Sequence, residues 1–485
     1  MGSLYDRLSE YGRSDYYGFH MPGHKRRFNM LGDEPAFAID ITEIEGFDDL
    51  HHADGILKEA QERAAKVYHG EETHFLVNGS SVGILSAVAG VTRRGDTILV
   101  ARNCHKSVYH AIEMNGLNPV YLAPGFHVSE YMNTEISAED VRIALEKNPK
   151  IRAAVIVSPT YEGVVSDVEA ISEAVHEKGI PVIVDEAHGA HFGFHPYFPE
   201  NSNRKGADIV IHSLHKTLPS LTQTALLHMN GSLVRRERVR RYLHMLQSSS
   251  PSYVLMASID SCIALLENRR DELFVPYAKN LQRLREELAG LRRLKLVHTN
   301  RYDPSKLVIS AGNTGLTGRD LSRILLEKYH LQMEMSAGGY ALAMTSVGDT
   351  PEGFRRLSCA LKEIDGSYPS EERNWKEDVK VHREEKGAGD LRKRKNIPCL
   401  PPPDMVYNSS EIQEMDCPVE SRHWRDCAGY VSVEYAYLYP PGIPFIVPGE
   451  RVSQEAVNVL QWYYEMGFSI EGLKRDSYIE VLTHG

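Results

Sequence analysis

The chain has 485 residues and a formal net charge of −11 at pH 7, from 55 Lys and Arg against 66 Asp and Glu. At roughly 100–200 residues per domain, this length predicts several domains and excludes a minimal scaffold held by disulfides or a metal. The 42% hydrophobic and 25% charged fractions are typical of a globular protein. The acidic balance argues against nucleic acid as a partner, because phosphate-binding surfaces need a surplus of Lys and Arg.

The cysteines and the apolar runs of the sequence indicate the cellular compartment of the protein. The 6 cysteines are scattered without a C-x-x-C pair, which favours a reducing compartment over a disulfide framework. The N-terminus lacks the apolar core of a signal peptide, and runs such as Ile84–Val91 fall short of the ~20 residues that span a bilayer. We therefore expect a cytoplasmic protein without a membrane partner.

Residues 70–230 alternate short β-branched runs with amphipathic stretches, the pattern of a parallel sheet wound with helices. The pattern predicts strands at His74–Val77, Thr97–Ala101, Pro119–Leu122, Ala153–Val157, Pro181–Val184 and Asp208–Ile211. It predicts helices at Val82–Val91, Ser107–Asn115, Ala138–Lys147 and Asp167–Lys178. Six strands with intervening helices indicate a large α/β domain.

Later segments differ in pattern. Tyr253–Leu288 has long helical periodicity, and residues 305–365 show a smaller α+β pattern with strands at Lys306–Ser310 and Tyr340–Thr345. A run of mixed charges and then of prolines predicts a linker. The predicted parts are an N-terminal arm (1–30), a large α/β domain (31–300), a small α+β domain (301–370), a linker (371–403) and a C-terminal domain (404–485).

Polar residues follow the predicted strands, where ligands of open α/β sheets bind. After His74–Val77 comes Asn78–Gly83 (NGSSVG), in which Ser80 and Ser81 open a helix. Backbone N–H groups at a helix N-terminus, together with two hydroxyls, form a cradle for a phosphate. A simple helix N-cap is the alternative interpretation.

Two further strand ends carry charged side chains. Asp185 follows the apolar strand Pro181–Val184. A buried carboxylate needs a cation or hydrogen-bond donors, so we expect Asp185 to have a cationic partner. An equal alternative is that Asp185 caps the next turn. Lys216 follows Asp208–Ile211. Most lysines are solvated surface groups, but a desolvated amine at a strand end becomes a nucleophile.

Together these groups match the needs of pyridoxal phosphate. In this hypothesis Lys216 forms a Schiff base, Asp185 pairs with the pyridinium nitrogen, Ser80 helps to hold the phosphate, and His105 supplies a ring. The combination is more specific than any of its members.

A metal-dependent hydrolase is a competing hypothesis. It would use Asp185 with His188, His191 and His195. Glycines between these histidines argue against the helix that would align the imidazoles, so we predict no metal.

Motifs in a fixed order resemble the bacterial ornithine/lysine/arginine decarboxylases of the aspartate-aminotransferase fold. They are His20–Lys25 (HMPGHK), Asn103–Ser107 (NCHKS), Asp185–His188 (DEAH), Ser213–Pro219 (SLHKTLP), Tyr439–Pro444 (YPPGIP) and Pro448–Glu450 (PGE). The resemblance implies an α/β fold with a large, mainly parallel sheet domain and smaller α+β C-terminal domains. It implies a pyridoxal-phosphate-dependent decarboxylase of arginine, lysine or ornithine that yields a polyamine or its precursor.

The resemblance also implies roles for individual residues. His105 stacks on the pyridine ring, Asp185 binds its nitrogen and Lys216 carries the cofactor. The implied cofactor-binding set is Ser80, Ser81, His105, Asp185, His188, Ser213, His215 and Lys216. His188 stands where larger members have a tryptophan, and the early position of His20–Lys25 predicts the short form of the family, without a wing domain.

A final segment concerns assembly. Gln247–Tyr253 resembles the family loop that reaches the neighbouring subunit's active site, so we expect a homodimer or a larger homo-oligomer. Ser249, Ser250 and Glu450 are predicted to contact the substrate or the partner subunit. An aminotransferase of the same fold is the alternative function, because it shares the cofactor residues; the Tyr439–Glu450 segment favours the decarboxylase.

Overall fold

The computed structural model describes residues 14–19, 41–43, 47–127, 132–312, 314–368, 403–438, 442–465 and 470–483. Several predicted features lie outside these residues: the His20–Lys25 motif with most of the arm, nearly all of the linker 371–403, and Tyr439–Pro441. The domain boundaries given above stay predictions.

The first half of the chain alternates strands and helices. Its strands are β1 (Tyr17–Phe19), β2 (Glu72–Leu76), β3 (Thr97–Ala101), β4 (Asn118–Leu122), β5 (Phe126–His127), β6 (Met132–Asn133), β7 (Ile151–Val157), β8 (Val182–Asp185), β9 (Ile209–Ser213) and β10 (Ala225–Met229). Its helices are α1 (Ile56–Tyr68), α2 (Gly79–Val91), α3 (Lys106–Met114), α4 (Ala138–Lys147), α5 (Val168–His176), α6 (Leu214–Thr217) and α7 (Arg236–Leu246).

The second half begins with the long helix α8 (Tyr253–Leu288), which is broken at Arg269. The later helices are α9 (Gly318–Tyr329), α10 (Pro351–Gly366), α11 (Ser409–Glu414) and α12 (Gln454–Glu465). The later strands are β11 (Lys295–Leu296), β12 (Lys306–Ser310), β13 (Leu331–Met333), β14 (Met335–Ala337), β15 (Tyr340–Met344), β16 (Asp404–Met405), β17 (Val419–His423), β18 (Ala436–Leu438), β19 (Ile443–Ile446), β20 (Glu450–Arg451), β21 (Ile470–Glu471) and β22 (Tyr478–Leu482).

A seven-stranded sheet in the order β2-β10-β9-β8-β7-β3-β4 forms the centre of the molecule. β9, β8, β7, β3 and β4 are parallel neighbours, and β10 runs antiparallel to both of its neighbours, β9 and β2. The prediction of a large, mainly parallel sheet is confirmed. All the strands except β10 therefore end at the same edge of the sheet.

The prediction of six strands was wrong, because Ala225–Met229 forms β10 between β2 and β9. Every side chain of β10 is buried, so the segment lacks the alternation that marks a half-exposed strand. The six predicted strands are present with ends shifted by at most two residues, and Tyr253–Leu288 is helical over its predicted length.

Smaller sheets surround the central one. β11, β12, β15 and β14 form an antiparallel sheet, which shares an apolar core with α1 and α8. This packing brings the start of β12 beside the carboxyl edge of the central sheet. The last part of the chain has its own apolar core around Trp424 and Leu460. None of the described helices has the length and apolar character that crossing a bilayer requires.

Candidate active site

A cavity of about 280 Å³ lies at the carboxyl edge of the central sheet. Its lining residues are Ser80, Ser81, Asn103, His105, Asn133, Val157, Thr160, Tyr161, Glu162, Asp185, Ala187, His188, Lys216, Glu334 and Ile443. Six of the predicted cofactor-binding residues are among them. Ser213 and His215 are not among the lining residues; they lie at the end of β9 and on α6.

One end of the cavity is the N-terminus of α2. Gly79 begins this helix with φ +75°, a left-handed conformation that glycine adopts at little cost, and its N–H donates to the carbonyl of Gln223 at 2.9 Å. Asn78 does not cap the helix with its side chain; its Oδ1 instead accepts from the N–H of Ser248 at 3.2 Å. The first turn therefore presents Ser80 and Ser81 to the cavity, as an anion cradle does.

Two buried polar atoms from strand ends of the central sheet lack a partner among the residues that the structure describes. Within the described part of the chain, Oγ of Ser213 and Oδ1 of Asn103 are buried without a hydrogen-bond partner. Buried polar atoms are normally paired, so the unpaired amide oxygen of Asn103, a residue of the cavity lining, suits a polar ligand. His215 is already engaged, because its Nδ1 donates to the carbonyl of Thr224 at 3.0 Å.

Asp185 ends β8, and its side chain is only 4% exposed. Its Oδ1 accepts from the N–H of Ala187 at 3.2 Å, and the positive charge of Lys216 acts on it. The Ala187 bond is the turn cap considered for this residue, while Lys216 acts on Asp185 through its electrostatic influence. Burial raises the pKa of Asp185, while Lys216 and the Ala187 N–H oppose the rise.

Lys216 lies on α6, one short turn beyond the end of β9. Its Nζ is 2.9 Å from Nε2 of His188. Burial lowers the pKa of Lys216, although the carboxylates of Asp185 and Glu334 oppose this shift. A lowered pKa keeps more of the amine neutral, which is the form that attacks a carbonyl carbon.

The ring of His105 lies at the start of α3 and is neutral. Its Nδ1 accepts from the N–H of Ser107 at 3.2 Å and lies 2.9 Å from Oγ of Ser107. Burial, followed by the charges of Lys216 and Lys106, lowers the pKa of His105 to about 3. A neutral aromatic ring held by α3 is suited to stacking on another aromatic ring.

Two carboxylates in the cavity escaped the sequence analysis. Tyr340 donates a hydrogen bond to Oε1 of Glu162 at 2.9 Å, and Tyr161 donates to Oε1 of Glu334. Burial raises the pKa of Glu162. Glu162 follows the carboxyl end of β7, so inspecting that strand end in the sequence would have found it. Glu334 lies between β13 and β14, and no sequence signal connects it to the cavity.

The residues predicted to contact the substrate or the partner subunit do not line the cavity. Ser249 and Ser250 are exposed, and the cap of α8 is Ser252, whose Oγ accepts from the N–H of Leu255. Glu450 lies in the protein interior, 6% exposed.

Glu450 is paired within its own chain, and its contact with the substrate or the partner subunit stays a prediction. Its Oε2 is 3.4 Å from Nη2 of Arg102 and accepts from the N–H of Val447 at 3.1 Å. Arg102 also donates to the carbonyls of Pro444 and Phe445, at 2.5 and 2.8 Å. Glu450 and Arg102 together hold the C-terminal part of the chain against the end of β3.

The residues of the metal hypothesis are separated by their contacts. His188 contacts lysine amines, whereas His191 pairs with Asp303 at 3.1 Å in the interior. Across the described ranges, no group of three or more His, Cys, Asp or Glu side chains is arranged to hold a metal ion.

Comparison with known proteins identifies the family. The pattern described as "Orn/Lys/Arg decarboxylase, major domain" matches residues 2–311, and that of "Orn/Lys/Arg decarboxylase, C-terminal domain" matches residues 393–474. The chain belongs to the Orn/Lys/Arg decarboxylase family. The predicted family is therefore confirmed. The prediction of a basic amino-acid decarboxylase is confirmed at the level of the family.

Individual relatives in the Orn/Lys/Arg decarboxylase family agree with this assignment. The chain is 36% identical to the uncharacterized protein YaaO of Bacillus subtilis and 32% identical to the arginine decarboxylase of the same organism. Each match covers 97% of this chain and 95% of the relative. The solved structure of the E. coli constitutive lysine decarboxylase has a TM-score of 0.77 at 22% identity, covering 99% of this chain and 81% of that one. This likeness supports the fold.

Proposed function

We propose that this chain is a pyridoxal-phosphate-dependent decarboxylase of basic amino acids that prefers arginine. The observation that carries the proposal is the meeting of Lys216, Asp185 and the N-terminus of α2 in one cavity that also contains the carboxylates of Glu162 and Glu334. The first three fit the reactive and anionic parts of the cofactor. The two carboxylates fit a cationic substrate side chain.

The cofactor residues would act in distinct ways. Ser80, Ser81 and the first N–H groups of α2 would bind the phosphate, and His105 would lie against the ring. Lys216 would attach the cofactor through its neutral amine, and Asp185 would hold a proton at the pyridine nitrogen. When bound, pyridoxal phosphate supplies an acceptor for the electron pair left when the Cα–carboxylate bond breaks.

The substrate preference rests on the two carboxylates. A guanidinium group has five N–H donors in a planar fork and pairs well with carboxylate oxygens, whereas an ammonium is a compact charge with three donors. Glu162 and Glu334 offer carboxylates from two different elements of the cavity, an arrangement suited to a planar group with donors on several edges. The relatives at 31–32% identity named arginine decarboxylase support the same preference.

We also propose that the protein is a cytoplasmic homodimer. The exposed Ser248–Ser250 turn lies outside its own cavity, which leaves it available to a partner subunit. The described cysteines Cys104, Cys262, Cys359, Cys417 and Cys427 are free, as expected in a reducing compartment.

Product analysis tests the function directly. Purified protein is incubated with arginine, lysine or ornithine, and amines and carbon dioxide are measured by chromatography and by trapping. We expect the decarboxylated amine of arginine to form fastest. Loss of the α-amino group without carbon dioxide would favour the aminotransferase, and no reaction with any of the three would overturn the proposal.

Lys216→Ala tests whether the cofactor is attached to Lys216. Borohydride should fix the cofactor to Lys216 in the wild-type protein, with a labelled peptide recovered by mass spectrometry, and should fix none in the variant. A label on a different lysine would remove Lys216 from its proposed role.

A further inference from the structure

His188 lies between two lysine amines from different parts of the chain. Its Nε2 is 2.9 Å from Nζ of Lys216, and its Nδ1 is 3.3 Å from Nζ of Lys306. The imidazole is 6% exposed, and the ring of Tyr161 lies 4.5 Å away, centroid to centroid. Each ring nitrogen therefore has one amine as its neighbour.

The protonation of this imidazole is restricted by its surroundings. The titratable groups that act on it most are Lys216 and His215 on α6, Lys306 on β12 and His105 before α3, and the phenol of Tyr161 packs against its ring. Burial, together with the charges of Lys216 and Lys306, holds the pKa of His188 well below its ordinary value. A neutral imidazole has one N–H donor and one acceptor nitrogen. One of the two lysines must therefore donate to His188, and the other must accept from it as a neutral amine.

The carboxylates beside each lysine decide which one is the donor. Burial opposes the ionisation of Asp303. The charge and hydrogen bond of His191, followed by Lys306 and Ser305, nevertheless hold the pKa of Asp303 below its ordinary value. Asp303 therefore stays ionised near Lys306. By contrast, burial lowers the pKa of Lys216 itself against the opposing charges of Asp185 and Glu334, and burial also raises the pKa of Asp185. The ammonium is thus better supported at Lys306, and the neutral amine at Lys216.

Lys306 is also held firmly in place. It is 2% exposed, its N–H donates to the carbonyl of Asp303 at 3.2 Å, and its carbonyl accepts from Arg285 at 3.3 Å. The aliphatic stem passes against Gly163, where a Cβ would lie 2.6 Å from Cγ of Lys306 and where φ is +94°. The absence of a side chain at residue 163 makes the slot for this lysine.

We propose that Lys306 is a positioning residue: its ammonium donates to Nδ1 of His188, fixes the Nε2–H tautomer of that imidazole, and so places a hydrogen-bond donor against Nζ of Lys216. A donor at this point stabilises the neutral amine of Lys216 over its ammonium. The inference rests on the proposed function only in assigning Lys216 to cofactor attachment.

The tautomer is measured on the cofactor-free protein. Histidine labelled with nitrogen-15 is introduced into wild type, Lys306→Met and Lys306→Arg, and the His188 signals are assigned by their loss in His188→Phe. We expect the Nε2–H tautomer in wild type and in Lys306→Arg, which keeps a cationic donor, and a shift toward Nδ1–H in Lys306→Met. Lys295→Met, a change of an exposed lysine on the neighbouring strand β11, is the matched control and should leave the signals unchanged.

The second readout is the rate of covalent attachment of pyridoxal phosphate to the cofactor-free protein, followed by absorbance against pH. In Lys306→Met the pH at which the attachment rate is half of its maximum should rise by about one unit. Below this midpoint, attachment then becomes about tenfold slower. Removing a nearby charge would also move the midpoint directly. The double variant His188→Phe with Lys306→Met separates the two causes, because an effect transmitted through His188 disappears in the His188→Phe background and a direct charge effect persists.

Gly163→Ala provides an independent disturbance, because it displaces the stem of Lys306 while keeping the ammonium. It should shift the tautomer in the same direction as Lys306→Met. The inference would be overturned if the His188 tautomer were unchanged in Lys306→Met. It would also be overturned if Lys306→Met shifted the attachment midpoint as much in the His188→Phe background as in wild type. Neither result would affect the proposed decarboxylase. Failure of the wild-type protein to attach the cofactor would refute the proposed function without changing the tautomer result.

Discussion

Tyr340 donates a hydrogen bond to Glu162, a residue of the cavity lining, with 2.9 Å between Oη and Oε1. The tyrosine belongs to β15 of the small antiparallel sheet, and the glutamate follows β7 of the central sheet. The bond fixes a carboxylate at the point where two sheets meet, in a cavity that also holds Lys216. This carboxylate is the basis of the first prediction.

Glu162→Gln should raise KM for arginine about tenfold to a hundredfold while changing kcat less. A hydrogen bond to a charged group contributes roughly 1.5–3 kcal/mol, and the amide keeps the shape but not the charge. Steady-state kinetics with arginine measure the effect. Tyr340→Phe is the matched control, since it keeps the carboxylate and should change KM by only a few fold. Equal KM values for wild type and Glu162→Gln would exclude Glu162 from substrate binding.

Asp185→Asn should retain bound cofactor but lose about a hundredfold to a thousandfold or more in kcat. A neutral amide cannot stabilise a protonated pyridine nitrogen, and removal of one preorganised electrostatic contact has an effect of this size. Absorbance reports the bound cofactor, and turnover is measured in the same sample. Asp208→Asn is the control, because Asp208 precedes β9 at the opposite edge of the sheet, where it contacts His176 and the Val182 N–H. Near-normal turnover by Asp185→Asn would contradict the assigned role.

Glu450→Gln should make stability less dependent on pH. Burial raises the pKa of Glu450 from 4.5 to about 7, so the folded chain binds this proton more tightly than the unfolded chain does. The stability contributed by this group is complete below pH 4.5 and is lost as the pH rises through about 7. Glutamine keeps an acceptor for Arg102 and does not ionise.

The expected result is that Glu450→Gln gains about 3 kcal/mol in free energy of unfolding relative to wild type between pH 5 and pH 8. Urea unfolding of both proteins at the two pH values measures it. A relative stability that stays constant across this window would show that Glu450 does not change its protonation in the folded chain.

Subunit complementation tests whether the Ser248–Ser250 turn serves a partner's cavity. Lys216→Ala protein is mixed with protein whose Ser248–Ser250 turn has been replaced, under conditions that allow subunit exchange. If the turn acts across the interface, one site in each heterodimer has both an intact Lys216 and an intact turn. Activity should then return toward roughly one quarter of wild type by random pairing in an isologous dimer. No recovery after demonstrated exchange would mean that the turn acts within its own chain or not at all.

The sequence by itself determined the fold class and much of the cavity. Parallel strands bring their carboxyl ends to one edge of the sheet, so residues after separate strands, such as Ser80, Asp185 and Lys216, were expected together, and the structure places them together. Local periodicity also gave Tyr253–Leu288 as one long helical segment. The alternation rule failed at Ala225–Met229, because a strand buried on both faces has no polar side.

Only the tertiary structure decided the contributions from the small sheet and the place of Glu450. Lys306 opens β12 and Glu334 lies between β13 and β14, so neither follows a strand of the central sheet. Both reach the cavity region because the antiparallel sheet packs on the apolar core shared with α8. Glu450, predicted to contact the substrate or the partner subunit, is buried against Arg102, a residue distant in the chain. Sequence patterns report periodicity within one segment, whereas the partner of a buried charge is fixed by how separate segments pack.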